Sequence, residues 1–294
     1  MILVLALSPS LDVTYELDDI RRGSVNRIRS VTRVPGGKAL NAARVASQCG
    51  AEVRVVVPLG GFTGAWIEDA LREKGIAATV VPVRGTTRTC TAMVAADGAT
   101  SSTDFYEPSS PIEVADWAAI EQATTGLIAA ASPSWLVVSG SLPPGVEPGQ
   151  VAALLDRARS AGVRIVVDSS GTGLRSLVGS ADLVKVNRSE ASELLGRDLG
   201  PADAARAIRA AGGCDAIVTD GVLPGAAVVA GAELVVRPPR RAGRFPAGSG
   251  DAFLGGLVAA LEARRTAQDA LECAADAAER NAAVAGQGIL ADTR

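Results

Sequence analysis

Histidine is absent from all 294 residues. This excludes every catalytic triad built on an imidazole, every imidazole general base and every histidine-liganded metal centre. Lysine is nearly absent too: only Lys38, Lys74 and Lys185 occur, and the other 26 basic residues are arginine. A lysine inside a motif is therefore informative. Aromatic residues make up 3% of the chain, so the core has to be built from Ala, Val, Leu and Ile. The four cysteines, Cys49, Cys90, Cys214 and Cys273, are far apart and form no CxxC pair. They read as reduced thiols of a cytosolic protein rather than as a zinc site or a disulfide framework. No stretch reaches 18 apolar residues, and the apolar start MILVLALSPS lacks the positive region and cleavage site of a signal peptide. The expectation is a cytoplasmic protein with no membrane partner. With a net charge of −3 and no long basic run, nucleic acid is not an expected partner either. There is no GxxxxGK[ST] phosphate loop, and neither GSGDAF nor GTGLRS supplies the third glycine of GxGxxG.

What is present is a large apolar fraction, 48%, arranged as short Val/Ile/Leu runs alternating with longer Ala-rich stretches. ILVLAL (2–7), VRVVV (53–57), WLVVSG (135–140), RIVVD (164–168), LVKVN (183–187) and AIVTD (216–220) read as strands separated by helices. Nearly continuous apolar strands imply a parallel sheet covered on both faces, hence a three-layer α/β core. Two segments, about 12–34 and 86–107, instead show polar alternation, and Asp97-Gly98 suits a tight hairpin turn. They read either as a small antiparallel sheet serving as a lid or dimer contact, or as two ordinary surface hairpins.

Three motifs carry candidate chemistry. In PAGSGDAFLGGL (246–257), Gly248, Ser249 and Gly250 form a turn before a helix, where backbone N–H groups converge on an anion. Asp251 then reads either as an N-cap or as a general base that takes a proton from an attacking hydroxyl. In VPGGKALNAAR (34–44), Gly36 and Gly37 allow close backbone approach at a helix start, with Lys38 and Asn41 in its first turn. A lysine is electrostatically misplaced there, which favours a role with an anionic ligand over a solvated surface position. Asp12, in SPSLD, is a candidate for hydrogen-bonding sugar hydroxyls, and Arg88, in TTRTCTA, is a second cation. In LVKVNRSE (183–190), Asn187 and Glu190 either hold waters of Mg²⁺ at the C-terminal edge of the sheet or form a plain helix capping box. VTDG (218–221) ends another strand at the same edge.

Taken in order, SPSLD, GGKALNAARV, TRTCTA, SGSLPPG (139–145), VVDSSG (166–171), LVKVNRSE and AGSGDAF resemble the PfkB, or ribokinase-like, family of sugar kinases over nearly the whole chain. The resemblance implies one ribokinase-like domain over 1–294, a Rossmann-like core with a mostly parallel sheet and a β lid, using ATP and Mg²⁺. It implies Asp251 as catalytic base and the N–H groups of Gly248, Ser249, Gly250 and Asp251 as an anion hole. Asp12, Gly36, Gly37 and Asn41 would contact the sugar, with Lys38 and Arg88 on the phosphate it already carries. Asn187 and Glu190 would belong to the Mg²⁺ motif, Thr219 and Gly221 would border ATP, and Asn281 would lie near the adenine. SGSLPPG followed by VVDSSG is most similar to the branch acting on ketohexose phosphates, which implies fructose 1-phosphate as substrate, with tagatose 6-phosphate and fructose 6-phosphate as alternatives. Because the TDGVLPGA loop departs from its relatives, a non-catalytic sugar-phosphate sensor is the alternative of another class. A homodimer through the lid is also expected.

Overall fold

A computed structural model describes residues 1–96 and 102–292. Nine strands form the main sheet: β1 (Ile2–Leu5), β4 (Val53–Leu59), β5 (Ala77–Pro82), β8 (Trp135–Ser139), β9 (Arg164–Asp168), β10 (Leu183–Asn187), β11 (Asp215–Asp220), β12 (Leu223–Val229) and β13 (Ala232–Val236). Their order is β13-β12-β11-β10-β9-β8-β1-β4-β5. From β11 to β5 every neighbouring pair is parallel, and β12 and β13 close one edge as an antiparallel hairpin.

Strand alternation supplies both faces. Ile2 and Val4 of β1 enter one core, while Leu3 and Leu5 enter the other. The first core is covered by α1 (Lys38–Gln48), α2 (Gly61–Glu73), α8 (Ser249–Glu262) and α9 (Ala267–Ala282). The second is covered by α3 (Val114–Ala131), α4 (Pro148–Ser160), α5 (Gly171–Leu177), α6 (Arg188–Leu195) and α7 (Pro201–Gly212). With so few aromatic residues, close packing comes from small side chains: Ala39, Ala42, Ala43 and Ala46 of α1 are all buried in the first core. That tight contact fixes α1 beside α8, and the N-termini of these two helices carry much of the candidate site.

Four further strands, β2 (Ser10–Leu17), β3 (Ser30–Gly36), β6 (Arg88–Ala95) and β7 (Thr103–Tyr106), form a separate sheet in the order β3-β2-β6-β7. This is the expected lid sheet, with one correction: its central pair, β2 and β6, is parallel, and only the two flanking pairs are antiparallel. The cause lies in the main sheet. β2 continues from β1 and β6 from β5, and both parents point the same way, so their extensions do too. The proposed Asp97-Gly98 turn lies outside the described residues. Across the lid, Asp12, Cys90 and Tyr106 stand opposite one another and so share a face, while Val31 and Phe105 lie on the other side. No helix among the described residues is long and apolar enough to cross a membrane.

Candidate active site

The site lies where the C-terminal ends of the parallel strands meet the start of α8, the usual ligand position in an open α/β sheet. A cavity of about 470 Å³ opens there, lined among others by Lys38, Asn187, Thr219, Gly221 and the Gly248–Asp251 turn. Gly248 is the N-cap of α8, with φ 81°. The sharp turn needs glycine, because a Cβ at this position would lie 2.8 Å from the Gln287 Cβ. The Ser249 N–H closes the turn onto the Pro246 carbonyl (3.1 Å), and Gly248 O accepts the Ala252 N–H (2.8 Å). The expected four-donor hole is therefore narrower: Gly250 and Asp251 keep first-turn N–H groups with no helical acceptor, whereas that of Ser249 is turned inward.

Asp251 is not the N-cap. It sits at the third helical position, 7% exposed, and its Oδ2 accepts from Asn41 Nδ2 at 3.0 Å. The same amide nitrogen donates to Asp12 Oδ2 at 3.3 Å. Asp12 belongs to the start of β2 rather than to the end of β1, and its carboxylate also accepts from Ser10 Oγ (2.6 Å) and the Gly37 N–H (3.4 Å). Gly36 is required beneath it, since a Cβ there would fall 1.9 Å from the Asp12 Cγ. Two carboxylates thus share one amide in a nearly dry pocket. Burial pushes Asp251 up to about 7; nearby Asp168 adds to the rise, and Lys38, Asn41 and Lys185 oppose it. Burial also raises Asp12, against hydrogen bonds from Ser10, Asn41 and Gly37 and the charge of Arg44.

Lys38 and Arg88 each contact acceptors of their own. The Lys38 ammonium lies 3.0 Å from Glu190 Oε1 and 3.6 Å from Asp168 Oδ1, on the wall of the large cavity. Asp168, foremost, and Glu190 hold Lys38 above its ordinary range. Asp168 is fully buried; desolvation alone would raise it, but Lys185 (Nζ to Oδ2, 2.8 Å) and Lys38 together hold it low. Arg88 stands at the start of β6, where its guanidinium donates to the carbonyls of Ser8 (3.3 Å) and Glu107 (3.2 Å). Its buried Nε has no partner among the described residues.

Asn187 and Glu190 do form the capping box at the start of α6: Asn187 Oδ1 accepts from Glu190 N (2.9 Å), and Glu190 Oε2 accepts from Asn187 N (2.9 Å). This does not remove them from the site, because Glu190 Oε1 still faces Lys38 and Asn187 still lines the cavity. No group of three carboxylate or cysteine ligands exists among the described residues. The donor set therefore suits Mg²⁺ that keeps its waters and arrives on phosphate oxygens, and it would not suit an all-protein cage. Thr219 and Gly221 border the cavity, and TDGVLPGA forms a tight hairpin between β11 and β12. Asn281 does not. It is fully buried, donates to Ala247 O (3.0 Å) and accepts from Gly288 N (2.7 Å), so it braces the turn before α8 instead of facing a base.

Three features escaped the motif reading: the Asp168–Lys185 pair, the buried Arg44, and the small-residue wall of Ala275, Ala278 and Ala282 on α9. The scarcity of lysine pointed to Lys185. A lone charge in the otherwise uncharged ALNAARVA run was the available signal for Arg44.

The model of the pfkB family carbohydrate kinases matches residues 6–294. A 1-phosphofructokinase of Xanthomonas campestris pv. campestris is 32% identical over 268 residues, covering 88% of this chain and 83% of that one. Among solved structures, phosphofructokinase-2 from Escherichia coli in complex with substrates and products superposes with a TM-score of 0.88 at 26% identity, over 96% of this chain and 92% of that one. Its complex with fructose-6-phosphate gives a TM-score of 0.86 at 26% identity, over 95% and 92% of the two chains. The sheet-plus-lid architecture agrees with these matches, and the chain belongs to the PfkB family of carbohydrate kinases, enzymes that transfer a phosphoryl group from ATP to a sugar.

Proposed function

We propose that this kinase phosphorylates a ketohexose phosphate, fructose 1-phosphate, at its free primary hydroxyl. The observation that carries the substrate is the 32% identity to a 1-phosphofructokinase across 88% of the chain. The likeness to a phosphofructokinase-2 solved with fructose-6-phosphate favours fructose 6-phosphate as the second reading. Coupled assays with ATP and, in turn, fructose 1-phosphate, fructose 6-phosphate and tagatose 6-phosphate test this. The expected result is the highest kcat/KM on fructose 1-phosphate, and a preference for either other sugar overturns the assignment.

In this reading Asp12 and Asn41 hold sugar hydroxyls, and Asp251 accepts the proton of the attacking one. A carboxylate pushed up to about 7 is well matched to that task near neutral pH. The Gly250 and Asp251 N–H groups face the transferring phosphoryl, and Lys38 neutralises its developing charge from the opposite wall. Asn187 and Glu190 would touch Mg²⁺ through its waters; when bound with ATP, the ion supplies charge neutralisation on the phosphate oxygens. The base of ATP occupies the slot lined by Ala275, Ala278 and Ala282, beside Thr219 and Gly221. The whole chain acts as one kinase unit whose four-stranded lid excludes water on closing. On the lid's outer side, exposed Val31 and Phe105 offer apolar surface to a second copy.

Arg88, with its unpartnered buried Nε at the base of the lid, is the cation for the phosphate the sugar already carries. Arg88→Ala is expected to raise the sugar-phosphate KM roughly tenfold while leaving the KM for ATP unchanged, as for a lost binding contact. Initial-rate kinetics with both substrates varied measures it.

A further inference from the structure

Arg44 is 2% exposed, yet no carboxylate forms an ion pair with it among the described residues. Its Nη2 donates to Asn41 Oδ1 at 2.8 Å, and the same nitrogen donates to the Gln287 carbonyl. Space for it is built into the chain: a Cβ at Gly288 would lie 2.7 Å from Nη2. A buried guanidinium in such a prepared slot loses its hydration for neutral hydrogen-bond acceptors, a cost that the nearby charges of Asp12 and Asp251 offset in part.

The hydrogen-bond inventory identifies the task of this guanidinium. A guanidinium only donates, so the Asn41 atom facing Arg44 must be the oxygen. The Asn41 amino group is thereby turned the other way, toward Asp251 Oδ2 (3.0 Å) and Asp12 Oδ2 (3.3 Å). Were the amide flipped, its oxygen would confront two carboxylates and its amino group a cation. The second bond works on the other half of the site. Gln287 precedes Gly288, whose N–H donates to Asn281 Oδ1 (2.7 Å), and Asn281 Nδ2 donates to Ala247 O (3.0 Å) next to the α8 turn. One buried side chain thus touches both the amide shared by the two carboxylates and the strut behind the turn.

We propose that Arg44 is a positioning residue for phosphoryl transfer, setting the orientation of Asn41 and so the placement of Asp12 and Asp251, and bracing the 247–249 turn through Gln287 and Asn281. It touches no reactant itself. The inference rests on the reading of Asp251 as the base.

The test compares Arg44→Lys, Arg44→Gln and Arg44→Met well below the melting temperature of each. Arg44→Met is expected to lower kcat about 30-fold, with the KM for ATP within about twofold of wild type. Arg44→Lys, whose ammonium can also donate to two acceptors from one nitrogen but sits on a shorter stem, should recover part of that loss. A merely structural arginine would lower the melting temperature and leave the turnover of the folded fraction intact. If Arg44 acts chiefly through the amide, Arg44→Met combined with Asn41→Leu costs little more than Asn41→Leu alone. Folded Lys and Gln variants with wild-type kcat overturn the proposal even if Arg44→Met does not fold, and where it folds, fully multiplicative losses in the double variant overturn the route through Asn41. Asp251→Asn run alongside separates the two claims. If it is inactive while the Arg44 variants turn over normally, only the positioning role fails; if it turns over normally, the base assignment fails first.

Discussion

Asp251→Asn is expected to lower kcat by about 10³–10⁴ while leaving sugar-phosphate binding nearly intact. The substitution removes the proton acceptor and little else. An asparagine at this position can still accept from Asn41 Nδ2, and the backbone N–H groups of the turn are unchanged. In the proposed reading the side chain stands beside Asp12 and Asn41 rather than on the phosphate of the sugar. The loss should therefore appear in turnover and not in the sugar KM. Equilibrium binding of the sugar phosphate together with single-turnover kinetics would measure both halves, and near-normal turnover would remove Asp251 from the role.

The same carboxylate sets a pH dependence of two opposite signs. As a base it must be ionised, so kcat should fall as pH drops through about 7. Folding runs the other way. The native pKa of about 7 lies above the ordinary value of 3.8, so between those two pH values the native state holds a proton that the unfolded chain has released. Stability from this group is thus fully present below about pH 4 and is lost as pH rises through about 7. Asp251→Asn carries no such penalty. It should be more stable than wild type at pH 8 by on the order of 2–4 kcal/mol, with the gap closing toward pH 4. Denaturant titrations at pH 8 and pH 5 read this directly, and an equal gap at both would mean that burial does not burden the carboxylate. Activity and stability therefore trade against one another at a single residue.

Much of the architecture was legible because its physics is local. VRVVV, WLVVS and RIVVD read as buried strands from composition alone, and each is one. The start of α8 was legible for a related reason: a Gly-Ser-Gly run before an apolar stretch supplies the positive φ that a sharp turn into a helix requires. What escaped depends on direction or distant partners. Polar alternation in the lid segments says that a strand has two unlike faces, but not whether its neighbour runs parallel; that was decided by the exits of β1 and β5. Asn281 lies in an alternating Ala-rich helix, and only the packing of the Ala247 turn and Gly288 shows that it points into the protein. Arg44 is one of 26 arginines in the sequence, and only the structure shows that α1 is enclosed on every side from Ala39 to Ala46.

Lys38 is the instructive case, since its motif marks it for an anion without saying which wall of the cleft it serves. A lysine at the first position of a helix reaches either wall of the cleft, and residues far along the chain choose between them. Asp168 and Glu190 draw the ammonium to the cavity that also holds Thr219 and Gly221. A lysine serving the phosphate already on the sugar would, when removed, raise the sugar KM and spare kcat. A lysine between the nucleotide wall and Asp251 predicts the reverse. Lys38→Met should lower kcat by about 10²–10³ and weaken ATP, with the sugar-phosphate KM nearly unchanged. It should also carry a second signature. Lys38 is the foremost influence holding Asp251 down against burial, so its loss should move the acid limb of the kcat profile above about 7. Arg88→Ala provides the contrasting pattern in the same assay, a raised sugar KM with the acid limb in place. If Lys38→Met instead reproduces the Arg88 pattern, the ammonium swings to the sugar side during turnover, and the assignment of the two cations to opposite walls is wrong.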